Sequence, residues 1–305
     1  MITSLEPTDL IRCFDAFSDL DAGQSLAVHL YDIVMNMPDN QHHEYVKNLV
    51  SRISDFQTHP IMWSDEDRSR LLSGTIALSV FDRLILPKFK AGSIFGESKF
   101  PGFDIHIFRL CYAIMLSRAF EVSEDQIAIA PFADQLNHSQ TLQCTIPRTA
   151  PDGSVRLIAE RPISKGEEVY NFYGNHPNTL MFLTHGFIGD NRLILFLEDW
   201  LTGSVNDKVG GMVIDPNSHA GLSDELMEFL MKTWSVGMLE AIKTLLGVLS
   251  LKVTTMEDSI SRLESDWDSD RQMLEIAKAV TNDELQLLSS WLANIREMIS
   301  IRTVS

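Results

Sequence analysis

Cysteine is scarce in this chain of 305 residues: Cys13, Cys111 and Cys144 lie far apart and form no CxxC pair. That spacing excludes a disulfide framework and a thiolate zinc site, and it makes a reducing, intracellular setting, cytoplasmic or nuclear, the expectation. Long apolar runs are missing too. The most apolar stretch, Met238 to Val253, is broken by Glu240, Lys243 and Lys252, and is too short and too charged to span a bilayer, so no membrane partner is expected. The opening MITSLEPTDL has neither a basic region nor an apolar one, so no secretory signal is expected. Positive charge is in deficit: 25 Lys and Arg against 42 Asp and Glu, 25 − 42 = −17. This argues against a nucleic-acid partner and suits a protein substrate presenting a basic segment, although acidity also serves solubility alone. Internal repeats and low-complexity tracts are absent. What remains, 45% hydrophobic and 22% charged, is ordinary globular composition with length enough for one large domain or two.

Three zones follow one another. From about Leu5 to Phe120 the pattern is helical. Leu26, Leu30, Ile33 and Val34 share one apolar face, and Tyr45, Leu49 and Ile53 share another. Ser64 before Asp65, Glu66 and Asp67 is an N-cap with an acidic first turn, and Asp104 caps a helix carrying Ile105, Phe108, Tyr112 and Met115. Gly92, Gly96 and two prolines make Pro87 to Pro101 a predicted loop. From Ile127 to about Trp200 the reading turns to short strands. Leu142 to Ile146 and Val155 to Ala159 flank the turn Pro151-Asp152-Gly153, and Val169 to Tyr173 follows as a further strand. Beyond Ser223 helices return over Leu226–Trp234, Met238–Leu251, Met256–Trp267 and Asn282–Ile301. The stripe Leu285, Leu288, Trp291, Leu292, Ile295 and Ile299 is a packing face.

The chemistry concentrates in the middle zone. Asp134-Gln135-Leu136-Asn137-His138 is followed by Gly166-Glu167-Glu168-Val169-Tyr170-Asn171-Phe172-Tyr173 and then by His185-Gly186-Phe187. Singly, each piece is a capped turn or a packing residue. No second ligand stands three or four residues from His138 on a believable helix, and there is no nucleophile elbow, so neither a metal site nor a hydrolytic triad is expected.

In this order the three segments resemble the SET domain of the class typified by Rubisco large-subunit lysine methyltransferase, with its D-x-x-N-H segment, spaced tyrosine and Y-G-F segment. The run from Phe108 to Ser117-Arg118-Ala119-Phe120 is similar to the helix of that class ending in S-R-x-F. Ser25-Leu26-Ala27 and the stretch Trp63 to Thr75 resemble its helical insert. The resemblance implies an α+β fold: a SET domain, with short β-sheets, a threaded, knot-like crossing and a helical insert, over residues 1–200. An all-α substrate-binding domain would occupy 201–305. It implies S-adenosylmethionine as cofactor and a lysine of a non-histone protein as methyl acceptor. Tyr173 would be catalytic, Asn137, His138 and Phe187 would hold the cofactor, and Ser117, Arg118 and Asp134 would offer carbonyls to the substrate ammonium.

Phe120 and Ala133 are similar to residues of the lysine-methylating members, whereas the actin-histidine branch tends to a polar residue and a tryptophan there. A histidine acceptor, or a non-catalytic module that binds a protein partner, are the alternative readings. Two departures stand out. His185 replaces the usual tyrosine of the Y-G-F segment. The first strands of the class and its glycine loop are not recognisable, since Gly23 and Gly74 are the only glycines before Gly92. An unpaired sheet edge and a weakened grip on the cofactor are the expected consequences.

Overall fold

The computed structural model describes residues 3–5, 10–11, 19–123, 126–139, 145–149, 154–189, 194–197, 211–214, 224–234, 236–266 and 270–304. The chain forms two compact units, residues 1–62 with 86–175, and 63–85 with 176–305. Neither is continuous in sequence, and the boundary expected at residue 200 lies outside the described residues.

In the first unit, helix α1 (Ala22–Asn36) opens with a capping box. The Asp21 carboxylate accepts from the Gln24 amide at 2.8 Å, and the Gln24 side chain accepts from the Asp21 amide at 2.7 Å. Its apolar face buries Leu26, Leu30 and Ile33. Helix α2 (His43–Ser51) buries Val46 and Leu49, whereas Ile53 falls in a following 3₁₀ turn and is exposed, which corrects the face assigned to it.

The expected loop at 87–101 is instead, for most of its length, helix α5 (Leu86–Lys99), which follows α3 (Asp65–Leu71) and α4 (Ile76–Val80) of the other unit in sequence. Its glycines serve contact rather than turning: a Cβ on Gly92 would lie 3.0 Å from the Phe108 ring, and one on Gly96 would lie 2.3 Å from Phe103. Helix α6 (Ile105–Arg118) starts as expected on Asp104, whose carboxylate accepts from the amides of His106 and Ile107 at 2.8 and 3.3 Å. Phe108 then packs among Tyr31, Phe89, Phe103 and Tyr112.

Three strands make the principal sheet, all antiparallel: β1 (Thr3–Leu5), β5 (Val155–Ala159) and β4 (Thr145–Thr149), in that order. The registers pair Thr3 with Leu157 and Thr145 with Ala159. An N-terminal strand therefore lines the edge that the sequence leaves bare; at three residues it is too short to show a period. The hairpin turn at Pro151–Gly153 lies outside the described residues. A second ribbon pairs β2 (Ala119–Ser123) with β3 (Gln126–Ile129), extended by a bridge from Ile11 to Ile129. Leu10, Ala128, Ala130, Ala133, Val155 and Leu157 form the small core behind the motif segment.

The second unit contains α3, α4, a π turn at Phe81–Ile85 and α7 (Asn178–His185). It also holds the ribbon β6 (Ile194–Leu197) with β7 (Gly211–Ile214), and helices α8 (Asp224–Trp234), α9 (Met238–Glu264) and α10 (Arg271–Val304). Ser64 caps α3 by accepting from the Asp67 amide at 3.0 Å. Two helices expected over 238–267 are one. The run Lys252 to Thr255 resembles a break, yet the hydroxyls of Thr254 and Thr255 bond back to the carbonyls of Ser250 and Leu251 at 3.2 and 2.9 Å. Leu288, Trp291, Leu292 and Ile295 are buried, as a packing stripe requires. Among the described residues no helix is long and apolar enough to cross a membrane.

Candidate functional site

The segment from Pro131 to Ser139 crosses the segment from Asn171 to Tyr173, and the crossing is held by backbone. The Asn171 amide donates to the Asn137 carbonyl at 2.9 Å, and the Ser139 amide donates to the Asn171 carbonyl at 3.1 Å, so that His138 and Asn171 form a parallel bridge. Val169 to Tyr173 is therefore no strand: one bridge replaces the ladder expected there. The pattern GEEVYNFY alternates too imperfectly to pair along its length.

The Tyr173 amide donates to His138 Nδ1 at 3.1 Å, so that nitrogen presents a lone pair rather than a proton, and the two rings lie 5.1 Å apart. The Tyr173 hydroxyl donates to the Leu136 carbonyl at 2.5 Å. Burial, with the Asp134 charge adding to it and Arg118 opposing, raises its pKa above the ordinary phenol value. At neutral pH this hydroxyl is thus a proton donor.

Asp134 is buried, and its side chain is fully out of solvent. One carboxylate oxygen accepts from the Tyr45 hydroxyl at 2.5 Å, whereas Oδ2 accepts no hydrogen bond and stands 3.6 Å from the Arg118 guanidinium. Burial pushes this carboxyl above the usual carboxylate range, against the pull of Tyr45 and Arg118. Arg118 also donates to the Asp134 main-chain carbonyl at 2.9 Å and lies over the Phe56 ring, 5.9 Å from its centre. One lone pair of the carbonyl expected to face a substrate ammonium is therefore taken by Arg118. Ser117 turns its hydroxyl back onto the Ala113 carbonyl at 2.8 Å. What it can offer a ligand is the main-chain oxygen of the last turn of α6, where carbonyls lack helical partners and the helix dipole is negative.

Asn137 is exposed, with its amide donating to Glu168 at 2.7 Å. Tyr173, His138, Asn137, Asp134, Arg118 and Ser117 all belong to the first unit. Phe187 belongs to the second, just after Gly186, which ends α7 in the left-handed conformation with φ 77°; its ring lies 6.0 Å from that of His185. No group of three or more His, Cys, Asp or Glu suited to a metal is found among the described residues.

Three participants escape sequence reasoning. Tyr45 and Glu168 bond motif residues; Tyr45 stands in no motif, and Glu168 fills the variable position of the Gly166–Tyr173 segment. Phe132 takes φ 70°, the one positive value among the described non-glycine residues, and is 77% exposed. Such a backbone costs about 1–3 kcal/mol and collects at functional sites. A large apolar residue between Pro131 and Ala133 gives no hint of it.

No family model matches the chain. Among curated proteins it is 27% identical over 150 residues to N-lysine methyltransferase SETD6 of Rattus norvegicus, a match covering 42% of this chain and 31% of the relative. It is 36% identical over 61 residues to Ribosomal lysine N-methyltransferase 4 of Saccharomyces cerevisiae, covering 20% of this chain and 12% of the other. These matches thus span well under half of the relatives' length. Among solved structures, the SET domain of LSMT bound to lysine and AdoHcy superposes with a TM-score of 0.62 at 16% identity, covering 92% of this chain and 76% of that one. Rubisco LSMT bound to AdoMet gives 0.60 at 17%, with the same coverage. The fold is that of the SET domain of this enzyme class, as the motif order implies.

Proposed function

We propose that this chain transfers a methyl group from S-adenosylmethionine to a lysine side chain of a non-histone protein. The observation that carries the reading is the crossing itself. It sets a protonated Tyr173 hydroxyl against the Leu136 carbonyl, beside a buried Asp134–Arg118 pair, in a fold shared with lysine methyltransferases.

The residues suit a sulfonium ligand. The crossing presents main-chain and hydroxyl oxygens, and of the cations beside it Arg118 is matched by Asp134 while Arg52, which bonds Gln135, is paired with Asp55. Asn137, whose exposed amide can exchange Glu168 for a ligand, and the His138 backbone are the groups of the first unit that would hold the cofactor. When bound, that cofactor supplies an electrophilic methyl on positively charged sulfur. The chain's part is positioning, exclusion of water and stabilisation of charge. Tyr173 and the carbonyls at the end of α6 would orient the acceptor nitrogen. A free lysine has a pKa of about 10.4, and desolvation against these half-buried groups favours the neutral amine that attacks. The acidic surface suits a basic segment of a protein partner, in a cytoplasmic or nuclear setting.

Radiolabelled methyl transfer to poly-lysine and poly-histidine, beside calorimetry with S-adenosylmethionine, tests this. The expected result is transfer to poly-lysine, with Tyr173→Phe lowering turnover by about two orders of magnitude, the scale of one lost preorganised polar contact to the transition state. Cofactor affinity should stay within about twofold, since the hydroxyl acts on transfer rather than on ground-state binding. No heat with the cofactor sinks the reading in favour of a non-catalytic module, and transfer to poly-histidine alone moves the acceptor to histidine.

A further inference from the structure

Tyr45 lies on α2, well before the motif in sequence, and reads there only as part of an apolar face. Its hydroxyl oxygen donates to Asp134 Oδ1 at 2.5 Å and accepts from Gln135 Nε2 at 2.9 Å and the Phe132 amide at 3.4 Å. A phenol offers one proton and two lone pairs, so this one is fully engaged, and all three partners belong to one turn. That turn is the unusual one. Phe132 holds its positive φ there, its ring 6.0 Å from that of Tyr45, and the next bonds fold the chain so that the Asp134 amide reaches the Ala130 carbonyl at 3.0 Å. Leu136, whose carbonyl receives Tyr173, comes directly after it.

We propose that Tyr45 is a positioning residue of the candidate site: its hydroxyl pins the Phe132–Gln135 turn and so places the Leu136–His138 backbone where Tyr173 meets it. The role in turnover rests on reading Leu136–His138 as part of a methyl-transfer site, whereas the pinning itself does not. Packing alone would need only the ring. Tyr45→Phe keeps that ring against Phe132 and deletes three hydrogen bonds, which separates the two explanations.

The full chain carrying Tyr45→Phe is compared with wild type by amide hydrogen exchange and by methyl transfer from S-adenosylmethionine to poly-lysine. Exchange at residues 132–137 should quicken by about tenfold while amides of α1 and α6 keep their rates, the mark of a local opening. Turnover should fall by about tenfold with the KM for the cofactor within about twofold, as for loss of alignment rather than of binding. Wild-type exchange rates in the turn overturn the proposal whatever the activity; faster exchange with unchanged turnover reduces Tyr45 to a structural role and overturns it equally. If wild type itself methylates nothing, the methyl-transfer reading fails and exchange alone decides whether Tyr45 pins the turn. Gln135→Ala, at an exposed position that tolerates truncation, removes one of the three bonds and should quicken exchange by about two- to threefold; no change there, with Tyr45→Phe failing to fold, also counts against the pinning.

Discussion

Glu284 offers a stability test whose sign is fixed by geometry. It lies on α10, fully buried, and its carboxylate accepts from the Ile76 amide at 2.6 Å, the Ala77 amide at 3.0 Å and the Thr179 hydroxyl at 2.8 Å. Those amides are the first two of α4, whose N-cap Thr75 serves only the third, at Leu78. Burial pushes the carboxyl from its ordinary 4.5 up to about 7, with the neighbouring Asp283 adding to the rise and the three donors pulling against it. A group whose folded pKa is raised lends stability that is whole below the unfolded value and is lost as pH climbs through the folded one. The span of 7 minus 4.5, at about 1.4 kcal/mol per pH unit, makes the full loss about 3.5 kcal/mol, of which about 2.5 kcal/mol falls between pH 5 and pH 8. Glu284→Gln removes the titration and keeps the shape. Urea unfolding of both chains at pH 5, 6, 7 and 8 gives the difference in free energy, in which every other titrating group cancels. Wild type should lose about 2.5 kcal/mol relative to the variant across that range. A flat difference refutes the reasoning, because it means the three donors compensate the buried charge completely.

Two further outcomes follow from single contacts. Gly96→Ala gains up to about 1 kcal/mol of helix propensity but drives a methyl into Phe103, a ring held by Tyr31 and Phe108, for a net loss of about 1–2 kcal/mol. Thermal unfolding at or above the wild-type temperature would show that the ring gives way. Asn137→Ala should weaken S-adenosylmethionine binding by at least about tenfold, the worth of a polar contact of about 1.4 kcal/mol, with little change in unfolding because the side chain is exposed. Undiminished affinity by calorimetry removes this residue from the cofactor site.

What the sequence declares and what it conceals differ by the range of the interaction. Ser64 and Asp104 are found as caps because the amides they serve lie two or three residues away. The D-x-x-N-H segment and Tyr173 are found because they stand in the order of the class that the sequence resembles. The helix at Leu86–Lys99 is missed because local grammar makes Gly92 and Gly96 breakers, whereas Phe103, in the turn before α6, and Phe108, on that helix, come too close for a side chain to be added without a shift. The edge strand Thr3–Leu5 is missed because a three-residue pairing has no period to detect.

Tyr45 and Glu284 share a third cause. Each stands on a helix face that packs inward, where an apolar-versus-polar pattern records position and discards what the oxygen does. For Glu284 a signal exists: an acidic residue between Val280 and Leu288, on the stripe that packs α10, is almost never buried without donors waiting for it. Tyr45 gives no such sign, because a tyrosine on an apolar face is ordinary and only the fold reveals that Asp134, Gln135 and Phe132 converge on its hydroxyl. The motif therefore names the residues at the crossing, and Tyr45, on a helix that carries no motif, bonds the turn beside them.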